Sequence, residues 1–402
     1  FEGFKMADGI NKEIVMKKEV TWGLKPSAGS AQSYARVTGN FQGEKNTFQS
    51  GLIKTSQQLA DQRHGTRRAT GSLAGELMCG QYSQLIAACL RKDFAAISAT
   101  TGSVTTIAVA ATSPTFTRST GSFITDGFKI GMIIECNNLT ATADRGKYVV
   151  VDVAALTMDV YKLDLSGVAF SVQASGTAMT IAAIGKNSYT PQTGHTNDSF
   201  SVEEYHNDIT LSSITLGQQV NSMSISSKPD GMVTLNFDFL GKDFEVTSGT
   251  RYFTSPTASP DEGTMSGAAG VAFLNGSKSC RVTGFDLTVN NNIVQESVIA
   301  CSGIGAKSRG KVMATGSMTL ILDDGVYQDM FSNEDEMTFS YSFVAADGEV
   351  LSLFAPRLKV GSVTKDDGEK VIILTVPFDI LEYNGTATNI IKTSLLIQDT
   401  TL

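Results

Sequence analysis

The sequence predicts a mainly β (α+β) fold with two related β-sandwich or barrel-forming domains, each with a flanking helix, and a small inserted β module. Three observations predict it. Charged residues make up 18% of the chain, against roughly 25% in average globular proteins, and 38 glycines stand against 8 prolines. Two short motifs recur at one spacing, and several segments alternate apolar with polar residues. This combination favours strands and turns over long solvated helices.

The recurring motifs indicate an internal duplication. Residues 36–39 (RVTG) recur as 281–284, and residues 69–72 (ATGS) recur as 314–317, both displaced by 245 positions. Without a gap, this offset gives 13 identities in 52 positions over residues 35–86. A shared fold explains the matches best, although the Ser/Thr/Gly-rich composition raises the frequency of chance matches.

The second part of each copy returns at a different spacing. Phe200-Ser201 matches Phe339-Ser340 at an offset of 139, so the first copy contains 106 extra residues. An excess of that size is a domain-sized insertion. We therefore expect four segments: the first part of copy one at 6–97, the inserted β module at 98–186, the second part of copy one at 187–255, and copy two at 256–402. Residues 1–5 precede Met6, which we expect to be the natural start.

Apolar spacing predicts the individual elements. Residues 233–239 alternate at the period of two of a half-buried strand, residues 318–322 also read as a strand, and 371–376 as a more fully buried one. Apolar residues at three- and four-residue spacing between Leu77 and Leu90 predict a helix, with Arg91 and Lys92 near its C-terminal end. A shorter helix is expected around 326–331. Within the insertion, strands are predicted in 123–134, 148–153, 158–163 and 179–184.

Composition argues against several classes of function. The formal net charge is −8, which does not suit a surface that grips nucleic-acid phosphates. The sequence contains no apolar run near the ~20 residues that a membrane-spanning helix requires. The five cysteines are odd in number and form no C-x-x-C pair, so we expect reduced thiols rather than disulfides or a zinc site.

The sequence also offers no clear catalytic constellation. Residues 305–312 fit a phosphate-binding loop until Val312, which has no hydroxyl for Mg²⁺, and the following segment reads as a strand. The three histidines, His64, His195 and His206, have no metal-ligand or triad spacing. We therefore expect no enzyme activity, no metal and no cofactor.

Two sets of charged residues are candidates for a role in assembly. The first is a basic stretch after a Gln-rich segment, interpreted either as a subunit-contact loop or as a solvated loop; its residues are Gln57, Gln58, Asp61, Arg63, Arg67 and Arg68. The second is a set of acidic residues in segments that look solvated, expected on an exposed face that is either a lumen or an outer, repulsive surface; these are Asp323, Asp324, Asp329, Glu203 and Glu204.

Diffuse motifs outside the insertion carry a family resemblance. They are the segment 40–90 with its QQLADQR loop at 57–63 and GSLAGEL passage at 71–77, the stretch 200–246 with GQQV at 217–220, and LFAPRLK at 353–359. These segments resemble the tail tube (major tail) proteins of bacteriophages with long, non-contractile tails, the siphophage type. The stretch 123–153 is similar to β modules inserted in phage structural proteins.

The resemblance implies a structural virion protein without enzymatic activity. Such proteins form stacked rings whose inner sheets join into one β-barrel, and DNA leaves the capsid through the tube. Two copies in one chain imply a homotrimer ring with pseudo-sixfold symmetry, where the family usually uses six single-domain subunits. We expect a net acidic lumen, through which double-stranded DNA passes without specific binding, and a module that decorates the outside.

The implied partners are further copies of the chain and other tail proteins, such as the tape measure, tail terminator and distal tail proteins. The implied location is the virion tail, assembled in the host cytoplasm, without membrane contact. The alternative from another class is a β-repeat surface or adhesion protein without a lumen.

Overall fold

The computed structural model of the chain describes residues 6–110, 114–136, 138–163, 171–260, 263–366 and 368–402. Residues 1–5, set apart from Met6 above, lie outside this range. The described chain is mainly β with two α-helices, as the sequence predicts. None of the helices in the described ranges has the length and apolar character needed to cross a membrane.

The elements follow one another in three groups. Before and within the inserted module they are β1 (Lys12–Lys18), β2 (Gln32–Ser33), β3 (Thr38–Gln49), β4 (Gln62–Glu76), α1 (Ser83–Leu90), β5 (Ala95–Ala96), β6 (Ile107–Val109), β7 (Thr115–Arg118), β8 (Ile133–Cys136), β9 (Gly146–Val153), β10 (Thr157–Lys162) and β11 (Ile181–Ala183). The chain returns through β12 (Lys186–Tyr189), β13 (Phe200–His206), β14 (Leu211–Ser227), β15 (Thr234–Gly241) and β16 (Asp243–Phe244). The last group is β17 (Met265–Leu274), β18 (Ser277–Ser279), β19 (Val282–Asn290), β20 (Ile293–Glu296), β21 (Ala306–Arg309), β22 (Met313–Ile321), α2 (Val326–Asn333), β23 (Glu336–Ala345), β24 (Val350–Val360), β25 (Thr364–Lys365), β26 (Ile373–Ile380) and β27 (Leu396–Asp399).

A long antiparallel sheet forms the centre of the molecule. Its strands lie in the order β3-β4-β15-β14-β19-β22-β26, and β26 then pairs with the end of β24 and with β25. Side chains alternate between a buried and an exposed face along β15, β19 and β26. Since successive strand residues point to opposite faces, one face of this central sheet carries the core and the other is polar.

The two halves of the central sheet have matching registers. Glu76 of β4 pairs with Thr234 of β15, and Ile321 of β22 pairs with Ile373 of β26. The β4 and β22 positions differ by 245 and the β15 and β26 positions by 139, the two offsets found in the sequence. A one-residue slip would turn every side chain to the opposite face, so equal registers keep equal core faces.

The core lies between the central sheet and the strands and helices behind it. Residues 85–90 of α1 are all buried, and Tyr327 and Met330 of α2 are buried as well. In the second half the rings of Phe285, Phe339 and Phe378 stack, with centroids 4.9 Å apart for the first pair. Such burial of aromatic and aliphatic area, at about 25 cal/mol per Å², is the main stabilising contribution.

The inserted module has its own six-stranded sheet, in the order β11-β8-β9-β10-β7-β6, and its own core. The chain leaves and re-enters the body at one point, where β5 pairs antiparallel with β12. The module also packs on the second half of the chain. Gln398 of β27 bonds the backbone N–H and C=O of Ile133, and an apolar cluster joins Val149 to Phe273 and Val350.

Two predicted elements differ from the structure. The first helix begins at Ser83, not near Leu77. Leu77 exchanges backbone hydrogen bonds with Val233 and Met265, and Gly80 at φ +75° turns the chain before the helix starts. The strand predicted at 371–376 begins at Ile373 and alternates rather than being buried on both faces, because its second face belongs to the polar side of the central sheet.

Candidate functional site

The two halves of the chain join edge to edge inside the central sheet. β14 of the first half pairs with β19 of the second half over six positions, from Ser222 opposite Asn290 to Ser227 opposite Phe285. On the core face Ile225 stands opposite Leu287, and both are 1% exposed. We call this pairing the internal joint.

The two outer strands of the central sheet, β3 and β25, are the counterparts of the two strands that meet at the internal joint. β3, the first-half counterpart of β19, pairs among the described strands with β4 alone, and most of its side chains are exposed. At the other end β25 pairs with β26 and is also exposed. Side chains already bond part of the β3 edge, since the Phe41 N–H donates to Glu204 and Lys12 donates to the Gly39 carbonyl. The other backbone N–H and C=O groups along an edge strand favour pairing with another strand.

A hairpin of the second half lies across the first half. This second arm, residues 293–309, contains β20 and β21. The Ile304 N–H donates to the Lys242 carbonyl at 3.2 Å, and the Arg67 N–H donates to the Ser302 carbonyl at 2.8 Å. Ile304 is 5% exposed. The seat of the second arm is therefore the end of β15 together with the start of the long strand β4.

The second arm also places positive charges against one indole ring. The Nζ atoms of Lys307 and Lys242 lie 4.5 and 4.7 Å from the ring centroid of Trp22. Burial lowers the pKa of Lys307 to about 8, and the positive charge of Arg309 acts in the same direction. Arg309 in turn donates to the carbonyls of Thr196 and Asp198, each at 3.2 Å. These contacts hold the base of the second arm, at Lys307 and Arg309, against the first half.

The corresponding hairpin of the first half does not share this burial. This first arm, residues 48–64, joins β3 to β4. Its end pair Gln49–Gln62 encloses one residue more than the pair Gln295–Lys307 of the second arm, and Gln62 corresponds to Lys307 at the offset of 245. Leu59 stands three residues before Gln62, as Ile304 stands three before Lys307. Leu59 is 58% exposed. Other exposed apolar side chains of the first arm are Phe48, Leu52 and Ile53.

The structure divides the predicted contact residues between the first arm and the strand that follows. Gln57, Gln58 and Asp61 are exposed in the arm, and Arg63 is exposed at the start of β4. Arg67 and Arg68 lie in β4 itself and not in a loop, because the strand extends back to Gln62. Arg67 has its Nε 2.8 Å from Asp243, and Arg68 pairs with Glu44 at 2.8 Å.

The predicted acidic residues occupy two different environments. Asp323, Asp324 and Asp329 are exposed around the N-terminal end of α2, where Arg281 pairs with both Asp323 and Asp324. Glu203 and Glu204 are not on a solvated surface as expected: they are 0% and 6% exposed.

Specific hydrogen bonds explain the burial of the two glutamates. Glu203 accepts from the backbone N–H groups of Tyr252 and Phe253 and from the Ser212 hydroxyl. Glu204 accepts from the Phe41 N–H and pairs with Lys12 at 2.6 Å. These partners satisfy the hydrogen-bonding capacity of the two buried side chains, which is the usual condition for burying a polar group.

The polar face of the central sheet carries acidic residues that the sequence interpretation missed. Asp238 of β15, Asp286 of β19 and Asp379 of β26 all point away from the core, at exposed positions of alternating strands. Strand alternation was the available signal: in 233–239 it already assigns Asp238 to the face opposite Phe237. In the described residues, no group of three or more His, Cys, Asp or Glu side chains is placed to hold a metal ion.

Sequence comparison agrees with this architecture. The family model of the phage tail tube protein matches residues 9–380, which span both halves and the inserted module. The chain belongs to the phage tail tube protein family. It is thus a structural protein of the bacteriophage tail, from a family whose members self-assemble and contact other tail proteins. No curated protein sequence matches this tail tube protein.

Proposed function

We propose that this tail tube protein forms rings of three chains with pseudo-sixfold symmetry, which stack into the tube that conducts DNA from the capsid to the host. The internal joint is the observation that carries the proposal. It joins two related halves edge to edge through β14 and β19. The outer strands of the central sheet, β3 and β25, are the counterparts of β19 and β14 in the other half of the chain. Repeating the joint between chains closes a ring and leaves no edge.

The register of the joint between chains follows from the internal joint. Ile225 pairs with Leu235 in β14–β15, and Lys365 pairs with Leu374 in β25–β26, so Lys365 is the counterpart of Ile225. Phe41 stands opposite Gly71, and Leu287 opposite Gly316, so Phe41 is the counterpart of Leu287. Lys365 of one chain should then face Phe41 of the next, and Thr364 should face Gln42.

The geometry suits a wide tube. Each half contributes four strands to the central sheet, so six halves supply about 24 strands at roughly 4.8 Å spacing, and a barrel about 37 Å across before strand tilt widens it. The polar face, with Asp238, Asp286 and Asp379, would line the lumen. A wall with excess carboxylates repels phosphates, so that duplex DNA passes without being held.

The remaining parts of the proposal rest on family membership. The tail would be of the long, non-contractile siphophage type, assembled in the host cytoplasm. Its partners would be the tape measure, tail terminator and distal tail proteins. The chain would act without enzymatic chemistry.

A disulfide test addresses ring closure directly. Gln42→Cys with Thr364→Cys, in a background with Cys280→Ser and Cys301→Ser, should give covalent products of several chains upon mild oxidation of assembled rings. Directly opposite residues of antiparallel strands have Cα atoms about 4.5–5.5 Å apart, within disulfide range. Gln42→Cys with Lys365→Cys is the matched control, because Lys365 points to the other face and should not cross-link.

Electron microscopy with mass measurement completes the test. End-on averages should have six lobes with the mass of three chains. Six chains per ring would contradict the pseudo-sixfold arrangement. Monomers under all conditions would contradict tube assembly and favour a surface protein.

A further inference from the structure

We propose that the first arm of each chain seats in a groove on the second half of the neighbouring chain, and that Leu59 fills there the place that Ile304 fills within the chain. The partner is a second copy of this protein. The inference rests on the proposed ring. It adds a second contact between neighbouring chains beside the pairing of β3 with β25. It follows from comparing the environments of the two arms.

The seat of the second arm defines where an equivalent seat must lie. Lys242 and Gly241 at the end of β15 correspond to Leu381 and Ile380 at the end of β26, by the offset of 139. Arg67 of β4 corresponds to Val312 just before β22, by the offset of 245. The equivalent seat is therefore formed by residues 380–381 and by Val312.

An open groove lies at that position. It is open to solvent on one side, has a volume of about 690 Å³, and its walls include Val312, Ile380 and Leu381, the three residues that the comparison identifies. Met313, also in the groove wall, is 53% exposed. On the first half, the second arm contacts Arg67 and Lys242. At the corresponding positions of the second half, the groove has apolar side chains.

The first arm matches this groove in chemistry and in connection. Its side chains Leu52, Ile53 and Leu59 are 71%, 100% and 58% exposed, more than a solvated hairpin needs. It is also continuous with β3, the strand proposed to pair with β25 of the neighbour. Within the chain, β19 and the second arm are continuous in the same way, and both contact the first half.

The backbone hydrogen bond that holds the second arm has an expected counterpart between chains. In the chain, the Ile304 N–H donates to the Lys242 carbonyl at 3.2 Å. Between chains, the Leu59 N–H should donate to the Leu381 carbonyl. Burying Leu59 in this way removes apolar area from water, with the favourable free energy of an ordinary core contact.

Cross-linking tests the seat. In the Cys280→Ser, Cys301→Ser background, Leu59→Cys with Leu381→Cys is treated with a short bis-maleimide after ring assembly. We expect covalent products that stop at the number of chains in one ring. Ile304→Cys with Lys242→Cys is the matched control, and it should link within single chains and give no larger product.

The outcomes separate the seat from the ring. Rings that form without the Leu59–Leu381 link, while the control pair links, overturn the arm seat and leave the ring intact. Products that continue beyond the ring size overturn it too, because the arm would then contact a stacked ring. Failure of the parent protein to form rings at all overturns the proposed function and the inference together.

A second measurement uses charge rather than cross-linking. Leu59→Asp should raise the protein concentration needed for ring assembly at least tenfold while the unfolding temperature of the monomer stays unchanged. Val172→Asp, at a side chain 72% exposed on the inserted module, is the control and should not alter assembly. Equal assembly of the two variants would contradict a buried Leu59.

Discussion

At the scale of single residues, Trp22 and Lys307 form a reporter of arm docking. Trp22 is the one tryptophan in the sequence, and the ammonium groups of Lys242 and Lys307 both lie within 4.7 Å of its ring centroid. Desolvation, with the charges of Arg309 and Lys242, lowers the pKa of Lys307 to about 8, while Glu19 acts in the opposite direction. A cation over an aromatic ring perturbs its electrostatic environment.

We therefore expect the fluorescence of Trp22 to titrate with a midpoint near pH 8. Lys307→Gln should abolish the transition, and Lys242→Gln should move the midpoint upward because one repelling charge is lost. A pH-independent spectrum in the parent protein would contradict this assignment.

The same pKa sets the sign of a stability effect. The folded state releases the Lys307 proton near pH 8, whereas the unfolded chain keeps it up to about 10.5. Because the unfolded state binds more protons between these values, the contribution of Lys307 to the free energy of unfolding rises with pH in that window. The difference between the parent and Lys307→Gln, measured by urea unfolding, should follow this rise.

At the scale of elements, the end of α2 stores backbone strain. Its C-cap residue, Glu334, has φ +58° in the left-handed region, where glycine is preferred. Glu334 pairs with Lys359 at 3.4 Å, but its side chain is 83% exposed, so that ion pair contributes little.

We expect Glu334→Gly to raise the free energy of unfolding by about 1 kcal/mol. Glu334→Ala is the control: it loses the same carboxylate but keeps the Cβ in a left-handed conformation. Denaturant unfolding under non-assembling conditions would measure both. Equal stability of the Gly and Ala variants would mean that strain is not the cause.

Element types could be predicted from local pattern, and the exceptions have non-local causes. Alternation located β15 and β22 because one face of each is buried. The helix prediction began too early because Leu77 is apolar at helical spacing, yet its N–H donates to the carbonyl of Val233, a residue distant in sequence just before β15. Likewise, nothing adjacent to Glu203 reveals that Tyr252 and Phe253 donate to it.

The internal joint and the seat of the first arm could not be predicted from local sequence pattern, because both depend on pairing between distant strands. Sequence identity located the duplication, but one-residue bulges shift the registers, as between Val282 and Gly284. Only strand pairing identifies Phe41 with Leu287. The sequence marks the QQLADQR segment as a candidate contact loop, but it does not single out Leu59. The burial of Ile304 at the corresponding position is what draws attention to that residue.

At the scale of the whole molecule, the inserted module connects to the body at one strand pair and along one contact surface. β5 and β12 hold its two ends together, with Ala96 opposite Lys186. It contacts β17, β24, β27 and the segment 388–391 of the body, on the side of the molecule away from the polar face. This position agrees with a module on the outside of a tube.

We expect the module to be dispensable for assembly. Deletion of residues 98–184 with Ile97→Asn leaves an Asn-Gly turn between the paired residues Ala96 and Lys186. Val271→Thr and Phe273→Thr are added because the deletion uncovers these side chains. Electron microscopy should find thinner tubes with an unchanged lumen; a folded monomer that forms no rings would contradict an outward, decorative module.

The internal joint also changes the thermodynamics of assembly. Six separate subunits would each lose translational and rotational freedom on entering a ring, at an estimated 4–15 kcal/mol for each association. In a ring of three double chains, half of the joints are tethered within a polypeptide and form during folding, at an effective concentration that dilution does not change. Rings should therefore persist at protein concentrations where untethered halves would dissociate. Since the two halves are inherited as one unit, each can also diverge without losing its partner.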